Sequence, residues 1–268
     1  MLIAQLSDLH LKANGGRAYG RVDTLSTCRA AIEHINRLSP DCVVVTGDLA
    51  DSGADGDYVT VVRELSRLNA PYYCVPGNHD RRQAFQDALS PFTAFNHDDF
   101  CVFLKEFDDI ILVGLDSLEE GMQQGYLGDR QCKWLADKLQ RATDKPHLIF
   151  LHHPPMDTGI AHMDAKKLQN AEQLAMAIEG KSNVAGIACG HLHRAVSSQW
   201  QGVPVWSAPA HNHSVTLDFA PQAQSTFSFE APAVRLFHIT GGNVVSHISP
   251  VGIPDGPYAF SAGTKNPA

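Results

Sequence analysis

Up to about residue 194, short runs of apolar residues alternate with segments whose apolar positions recur every three or four residues. Residues 24–38 and 57–68 each carry such a stripe, which is typical of an amphipathic helix. Asp129 and Asn170 stand where the caps of two further helices are expected. The alternation predicts an α/β architecture. The predicted strands are 2–6, 42–46, 72–75, 110–115, 148–151 and 184–189.

The helical period ends near residue 195, and short β-prone runs take its place. The Gly241-Gly242-Asn243 stretch predicts a hairpin turn between the last two runs. The tail of residues 250–268 is rich in Pro, Gly and Ala, and we expect it to extend over the surface or against a partner subunit. The runs themselves are 203–207, 214–219, 226–229, 233–239 and 243–248.

Length and charge limit the class of protein. A chain of 268 residues is expected to form one large domain, or one domain with an appendage. The 29 acidic residues outnumber the 21 Lys and Arg, so the net charge is −8. This balance argues against a nucleic-acid polymer or an anionic membrane as the main partner. Histidine is in excess, with 14 copies against 6 Tyr, and is therefore the residue type most informative about chemistry.

The six cysteines form no Cys-x-x-Cys pair, and we expect them to be reduced core residues. The N-terminal apolar run ends before Asp8, which is too short for a signal peptide, and no apolar run approaches the length of a membrane span. A cytoplasmic protein is therefore expected.

Polar residues cluster directly after five of the predicted strands. In a predominantly parallel sheet these positions share one edge, where α/β proteins bind ligands. The clusters offer nitrogen and oxygen donors without cysteine, a set suited to Mn, Fe, Co or Zn. The clusters are Asp8-Leu9-His10, Gly47-Asp48, Gly77-Asn78-His79-Asp80, His152-His153 and Gly190-His191-Leu192-His193.

The spacing within the clusters has a physical reason. Residues two apart on an extended chain point to the same side, so Asp8 and His10 can reach one pocket, as can His191 and His193. The glycines before Asp48, Asn78 and His191 allow the tight turns that aim these side chains inward. The sequence thus predicts a metal centre built from several strand ends.

The order of these motifs resembles the calcineurin-like metallophosphoesterase superfamily, whose signature runs Asp-x-His, Gly-Asp, Gly-Asn-His-Asp/Glu, His and Gly-His-x-His. Every part of it is present, and the resemblance covers residues 1 to about 215. It implies a four-layer αββα sandwich of two mixed β-sheets flanked by helices. Residues 1–215 would form this domain, and residues 216–268 would form a C-terminal β-rich segment that completes the second sheet or makes a cap or oligomer contact.

The resemblance also implies two divalent transition-metal ions per chain, drawn from Fe, Mn, Zn and Co. A hydroxide bridging them would attack phosphorus in line with the leaving alkoxide. Two dications, two ligating aspartates and the hydroxide leave a charge of about +1, which suits a phosphodiester monoanion. Asp48 would bridge the ions. The implied ligands are Asp8, His10, Asp48 and His193 for one ion and Asp48, Asn78, His152 and His191 for the other.

Within the superfamily the chain looks most like bacterial glycerophosphodiesterases and class III 3′,5′-cyclic nucleotide phosphodiesterases. This likeness rests on the Asp8-x-His10 opening, the Ala18-Tyr19-Gly20 segment, the His152-His153-Pro154-Pro155 run and the length. It implies hydrolysis of small diesters, either cyclic nucleotides such as cyclic AMP or glycerophosphodiesters. Two alternatives stay open: a phosphomonoesterase or nucleotide pyrophosphatase on the same site, and a protein-binding scaffold without activity. A homo-oligomer is a further expectation from the resemblance.

The expected catalytic residues are Asp48, Asn78 and His79. His79 is expected to position the substrate or to give a proton to the leaving group, with Asp80 orienting its ring. Asn78, His79 and His213 are the expected substrate contacts.

Structural roles compete with binding roles at other positions. His153 follows a ligand but points the opposite way on an extended chain, so support and binding are equally open. Asp116 is expected to support its loop. Arg17 and Tyr19 either touch the non-reacting end of the substrate or lie in a solvated loop. Histidines without a motif are expected to be structural, namely His34, His97, His147, His162, His238 and His247.

Overall fold

A computed structural model describes residues 1–97 and 99–260. Its main helices are α1 (Thr24–Leu38), α2 (Asp55–Leu65), α3 (Arg82–Leu89), α4 (Asp129–Arg141), α5 (Ala161–Asp164) and α6 (Ala171–Ile178). The first strands are β1 (Leu2–Leu6), β2 (Cys42–Thr46), β3 (Tyr72–Val75), β4 (Phe103–Glu106), β5 (Ile111–Gly114), β6 (His147–Leu151) and β7 (Val184–Cys189). The later strands are β8 (Ser197–Trp200), β9 (Val203–Ser207), β10 (Ser214–Val215), β11 (Phe227–Ser228), β12 (Ala233–Thr240) and β13 (Asn243–Pro250).

Two large mixed sheets form the centre of the molecule. Sheet one has the strand order β13-β12-β1-β2-β3, in which β1, β2 and β3 are parallel and β12 runs antiparallel to β1. Sheet two has the order β4-β5-β6-β7-β9-β8, in which β5, β6, β7 and β9 are parallel. A short hairpin of β10 and β11 stands apart from both sheets.

Three apolar clusters show how the layers pack. Between the sheets, Val44 of sheet one and Phe150 of sheet two belong to one buried cluster. On the outer side of sheet one, α1 packs through Ile32 and its neighbours. On the outer side of sheet two, α4 packs through Leu135 and its neighbours. The result is the four-layer αββα sandwich that the resemblance to the metallophosphoesterases implies.

The C-terminal strands join the sheet that contains the N-terminus. Leu2 lies opposite His238 in the β1–β12 register, and β12 turns into β13 through Gly241 and Gly242. Both glycines have positive φ, as the predicted hairpin turn requires. The boundary at residue 215 stays a prediction.

Several elements differ from the pattern read in the sequence. Helix α2 lies slightly earlier than the predicted 57–68, and Asp129 is the first residue of α4, whose cap is Gly128. Asn170 does precede α6, but its side chain bonds the backbone of Leu127 and does not cap the helix. The runs 214–219 and 226–229 shrink to the short β10 and β11.

Four elements were missed, and each is short or largely exposed; one of them, α5, spans only the four residues Ala161–Asp164. Strand β8 is largely exposed, β4 is an edge strand with exposed residues at its end, and α3 spans only eight residues. Residues 251–260 contain no helix or strand, and the rest of the tail lies outside the described residues.

All six cysteines are buried and free, which confirms the expectation of core thiols. Within residues 1–97 and 99–260, none of the helices combines the length and apolar character needed to cross a bilayer.

A buried arginine ties the two sheets together near the functional region. Arg235 of β12 is 3% exposed, and its Nε and Nη2 donate to the Ser207 carbonyl at 3.1 and 2.8 Å. Ser207 ends β9 in the other sheet and leads into the segment that contains His213. Burial lowers the pKa of Arg235 to about 10.

We expect Arg235→Ala to lower the free energy of unfolding by about 3 kcal/mol, because it removes charged hydrogen bonds and leaves a buried carbonyl without a donor. Urea unfolding followed by circular dichroism measures this. The matched control is His238→Ala, an exposed position on the same strand, which should change little. Equal effects of the two substitutions would contradict the proposed tie.

Candidate metal centre

The polar clusters meet where the carboxyl ends of strands from both sheets converge. Asp8 and His10 follow β1, Asp48 follows β2 and Asn78 follows β3, all in sheet one. The remaining histidines come from sheet two: His152 follows β6, and His191 and His193 follow β7. The prediction that all of these residues lie along the edge of one sheet was therefore wrong. They follow strands of two different sheets, whose carboxyl ends meet at the same end of the sandwich.

One group of side chains lies around His10. Its Nε2 is 3.2 Å from His193 Nε2 and 3.7 Å from Asp48 Oδ2. His193 Nε2 is in turn 3.4 Å from Asp8 Oδ1. The ligating atoms of Asp8, His10 and His193 all lie within 4.8 Å of one another, so one ion could contact all three.

A second group lies around His152. Its Nε2 is 3.2 Å from Asn78 Oδ1, 3.2 Å from His191 Nδ1 and 3.4 Å from Asp48 Oδ2. The same oxygen, Asp48 Oδ2, thus lies close to a histidine of each group. The structure brings all seven predicted ligands together. Asp8 also lies near Asp48 and His152, so the division of the ligands between two ions stays a prediction.

The backbone at this site is unusual. Asp8, His10, Asp48, His191 and His193 all have φ between 46° and 69°, in the left-handed region. That region costs non-glycine residues about 1 kcal/mol or more each, and such residues concentrate at functional sites. The surrounding fold therefore holds these five side chains in place against local preference.

Backbone carbonyls fix the orientation of the imidazole rings. His152 Nδ1 donates to the Thr46 carbonyl at 2.8 Å, and His193 Nδ1 donates to the His213 carbonyl at 3.1 Å. In both rings Nε2 is therefore the nitrogen directed into the site, and it offers a lone pair whenever the ring is neutral. This is how metal-binding histidines are usually oriented by their surroundings.

The electrostatics suit cation binding. Burial by itself would raise the pKa of Asp48, but His152, His79 and His10 outweigh it and hold that pKa well below its usual value. Burial keeps the pKa of His191 and of His193 well below the usual value, so both rings are neutral. Burial also disfavours the charged forms of His152 and His10, but nearby carboxylates outweigh it and raise the pKa of both rings, that of His152 to about 9. The site therefore holds ionised Asp48, two neutral rings and two rings that would release a proton when they bind metal.

Close approach explains two of the glycines. A Cβ on Gly47, whose φ is 89°, would lie 2.3 Å from the His152 ring. A Cβ on Gly77 would lie 2.3 Å from Asp48 Oδ1. Gly77 does not have a positive φ, so a glycine is needed there for space beside Asp48 and not for an unusual backbone conformation. The sequence predicted a tight turn at this position instead.

We expect Gly77→Ala to displace the Asp48 carboxylate and to lower bound metal and turnover at least tenfold, since an added methyl in a packed site costs about 1–3 kcal/mol. Elemental analysis and turnover measure the two effects. Gly16→Ala is the control, because its Cβ would meet Lys12 only at 3.6 Å. Unchanged metal content in Gly77→Ala would contradict the close approach.

His79 is oriented by a group that the sequence did not reveal. Its Nδ1 donates to the Asp51 carbonyl at 2.8 Å, and its backbone N–H donates to Asp48 Oδ1 at 2.8 Å. Asp80 instead accepts from the backbone of Gly77 and from the hydroxyl of Tyr58. The expectation that Asp80 orients the His79 ring was wrong.

Asp51 is also a neighbour of the first group. Its Oδ1 is 3.4 Å from His10 Nδ1, and its Oδ2 accepts from Lys12 at 2.6 Å. Burial would raise the pKa of Asp51, but His10 and Lys12 lower it to about 2. Asp51 was not among the predicted site residues; the only hint of its role in the sequence is that it lies three residues after the predicted ligand Asp48.

The ambiguous residues divide into two kinds. His153 is buried beside His152 and His191, with its Nδ1 2.9 Å from Ser117 Oγ, so it lies against the centre. Asp116 pairs with Arg82 at 2.7 Å and bonds the backbone of its own loop, as expected of a supporting residue.

A cavity of about 400 Å³ opens over the centre. His79, Asn78 and His213 line it, as do Tyr19 and other residues that carry no motif. Arg17 bonds the Arg21 carbonyl within its own exposed loop. The volume is within the range of small-molecule sites.

The residues present fit a pair of transition-metal ions. Buried imidazole nitrogens face one another, with His10 Nε2 3.2 Å from His193 Nε2 and His152 Nε2 3.2 Å from His191 Nδ1. Together with the carboxylate oxygens they form a donor set without thiolates. Such nitrogen and oxygen donors suit Mn, Fe, Co and Zn. Fold and donor set together define the class of metal-dependent phosphoesterases.

Comparison with known proteins agrees with this class. The sequence model of the calcineurin-like phosphoesterase family matches residues 1–195. The chain therefore belongs to the calcineurin-like phosphoesterase family, a group of metal-dependent hydrolases, as the motifs indicate.

Relatives carry two kinds of name. A probable glycerophosphodiester phosphodiesterase GpdQ from Arcobacter nitrofigilis is 35% identical over 264 residues, 97% of each chain. The 3′,5′-cyclic adenosine monophosphate phosphodiesterase CpdA from Escherichia coli K12 is 31% identical over 245 residues, 88% of this chain and 84% of CpdA. A dimetal phosphatase from Danio rerio shares the fold, with a TM-score of 0.65 at 17% identity over 94% of this chain and 99% of its own.

Proposed function

We propose that this protein is a dinuclear-metal phosphodiesterase that hydrolyses small phosphodiesters, either 3′,5′-cyclic nucleotides or glycerophosphodiesters. The observation that carries the proposal is the convergence of seven nitrogen and oxygen donors in two groups that share Asp48. The names of the relatives support a diester substrate.

In this proposal Asp8, His10, Asp48 and His193 hold one ion, and Asp48, Asn78, His152 and His191 hold the other. When bound, such a pair activates water as a nucleophile and offsets the charge that develops on the phosphoryl oxygens. The protein contributes ligands whose geometry is fixed before the metal arrives. Asn78 lies both among the donors and on the cavity wall, so its amide can also contact a phosphoryl oxygen.

His79 is proposed as the proton donor to the leaving group. Because Nδ1 is bound to the Asp51 carbonyl, Nε2 is the ring atom free to face the substrate. Because Nδ1 keeps its own hydrogen, Nε2 carries a proton only in the imidazolium form of the ring. Hydrolysis adds water across one P–O bond, and in this proposal the departing alkoxide takes the Nε2 proton of that imidazolium and leaves a neutral ring. A phosphomonoester and an alcohol result.

His213 is proposed as a neutral substrate contact. Burial, together with His193 and His10, lowers the pKa of His213 to about 2. Its Nδ1 is buried without a partner, and the ring lines the cavity. It therefore offers a hydrogen bond and no charge.

A substrate panel tests the proposal. Protein loaded with Mn²⁺, Fe²⁺, Co²⁺ or Zn²⁺ is assayed with cyclic AMP, glycerophosphocholine, an aryl phosphodiester and an aryl phosphomonoester. We expect higher kcat/KM on diesters. Preference for the monoester would overturn the diesterase assignment, and absence of transition metal in protein purified without chelator would favour the scaffold alternative.

A further inference from the structure

Aromatic rings form one wall of the cavity above the proposed metal centre. The Phe227 ring of β11 lies 5.5 Å from the ring of Tyr19 and 5.2 Å from that of His213, measured between centroids. Tyr19 and His213 are 5.3 Å apart in an edge arrangement. We call Tyr19, His213 and Phe227 the aromatic wall. These residues come from three separate segments, so the fold assembles the wall.

A lysine lines the same cavity. Lys166 follows α5 and is half-buried. Across residues 1–97 and 99–260, no carboxylate lies within ion-pair distance of Lys166, whereas its neighbour Lys167 pairs with Asp157. Asp48 is the single carboxylate among the described lining residues, and it belongs to the proposed metal centre. Gln123 adds a neutral hydrogen-bonding group.

We propose that the aromatic wall, Lys166 and Gln123 form a subsite for a nucleobase, which makes a 3′,5′-cyclic nucleotide the preferred diester of this enzyme. The inference rests on the proposed phosphodiesterase function and selects between its two substrate classes. A planar base stacks on an aromatic face. Its ring nitrogens are acceptors that a lysine ammonium and a glutamine amide can satisfy.

The choline head group of glycerophosphocholine fits this subsite less well than a base. A quaternary ammonium is attracted by aromatic faces. In this cavity it would also meet the ammonium of Lys166, and the described lining offers no second carboxylate to offset that repulsion. A base, which is neutral, uses the aromatic wall and the lysine together.

Substitution of Phe227 tests the stacking surface. Phe227→Leu keeps an apolar side chain against Phe229 but removes the aromatic face. We expect it to lower kcat/KM for cyclic AMP about tenfold more than for glycerophosphocholine. Phe227→Tyr, which keeps the ring, should retain most of the selectivity. Phe219→Ala, an exposed phenylalanine between β10 and β11 outside the cavity lining, is the matched control and should leave the ratio unchanged.

Substitution of Lys166 tests the charge. Lys166→Met is expected to raise KM for cyclic AMP about tenfold and to reduce the preference over glycerophosphocholine, because it removes both a donor and the repulsion. Lys133→Met, at an exposed position on α4, is the control.

The outcomes separate the two proposals. Wild-type preference for glycerophosphocholine, or equal losses on both diesters in Phe227→Leu and Lys166→Met, would overturn the base subsite while leaving the phosphodiesterase intact. Hydrolysis of neither diester by metal-loaded wild-type protein would overturn both. Metal content and circular dichroism of each variant show that the fold and the centre are unchanged.

Discussion

Replacing Asp48 by Asn is expected to remove bound metal and turnover together, each by about a hundredfold or more. Asn has the same shape, tolerates the left-handed backbone that Asp48 adopts, and still offers Oδ1 to the His79 N–H. It lacks the negative charge at the oxygen that borders both groups of donors. Even changes beside metal ligands typically cost 10- to 100-fold, so loss of a shared ligand should cost more.

Elemental analysis and kcat measured on the same preparation check this expectation. The matched control is Asp57→Asn, a buried carboxylate that bonds Ser52 and the Ala13 N–H outside the centre. It should retain its metal. Full metal content in Asp48→Asn would show that Asp48 does not join the two groups.

His79→Ala is expected to lower kcat on diesters with alkoxide leaving groups by about 10²–10⁴-fold while the metal content stays nearly unchanged. The reason is that His79 faces the cavity through Nε2 and is held by a backbone carbonyl, outside the proposed ligand set.

Leaving-group chemistry makes this expectation specific. A nitrophenolate departs without a proton, so the loss on a nitrophenyl diester should be far smaller than the loss on cyclic AMP. Comparing kcat for the two substrates, in wild type and variant, isolates the proton. Equal losses on both, or metal loss equal to that of Asp48→Asn, would contradict the division between ligands and proton donor.

The central strands and the proposed ligands were predictable because both leave strong local signals. Buried strands such as Cys42–Thr46 are apolar on both faces, and the chain becomes polar directly after them. The motif order then identified the family. That the ligands come from two sheets required the tertiary packing, because spacing along the chain does not say which strands share a sheet.

The rest of the site had no such signal. The group that orients His79 is the carbonyl of Asp51, an atom that every residue possesses. Lys166 and Phe227 reach the cavity from a loop and a short hairpin whose positions depend on packing against distant segments. Edge strands such as Ser197–Trp200 are exposed and lack the run of apolar residues by which buried strands are recognised.

The division of the donors between two sheets has a consequence for folding. Asp8, His10, Asp48 and Asn78 come from the first third of the chain, whereas His152, His191 and His193 come from beyond its midpoint. Neither stretch contains a complete predicted donor set, so we expect high-affinity metal uptake only after the two sheets have docked. A transition metal added during refolding therefore reports when the two halves of the sandwich meet, and in the finished protein it acts as a non-covalent crosslink that raises the melting temperature with concentration.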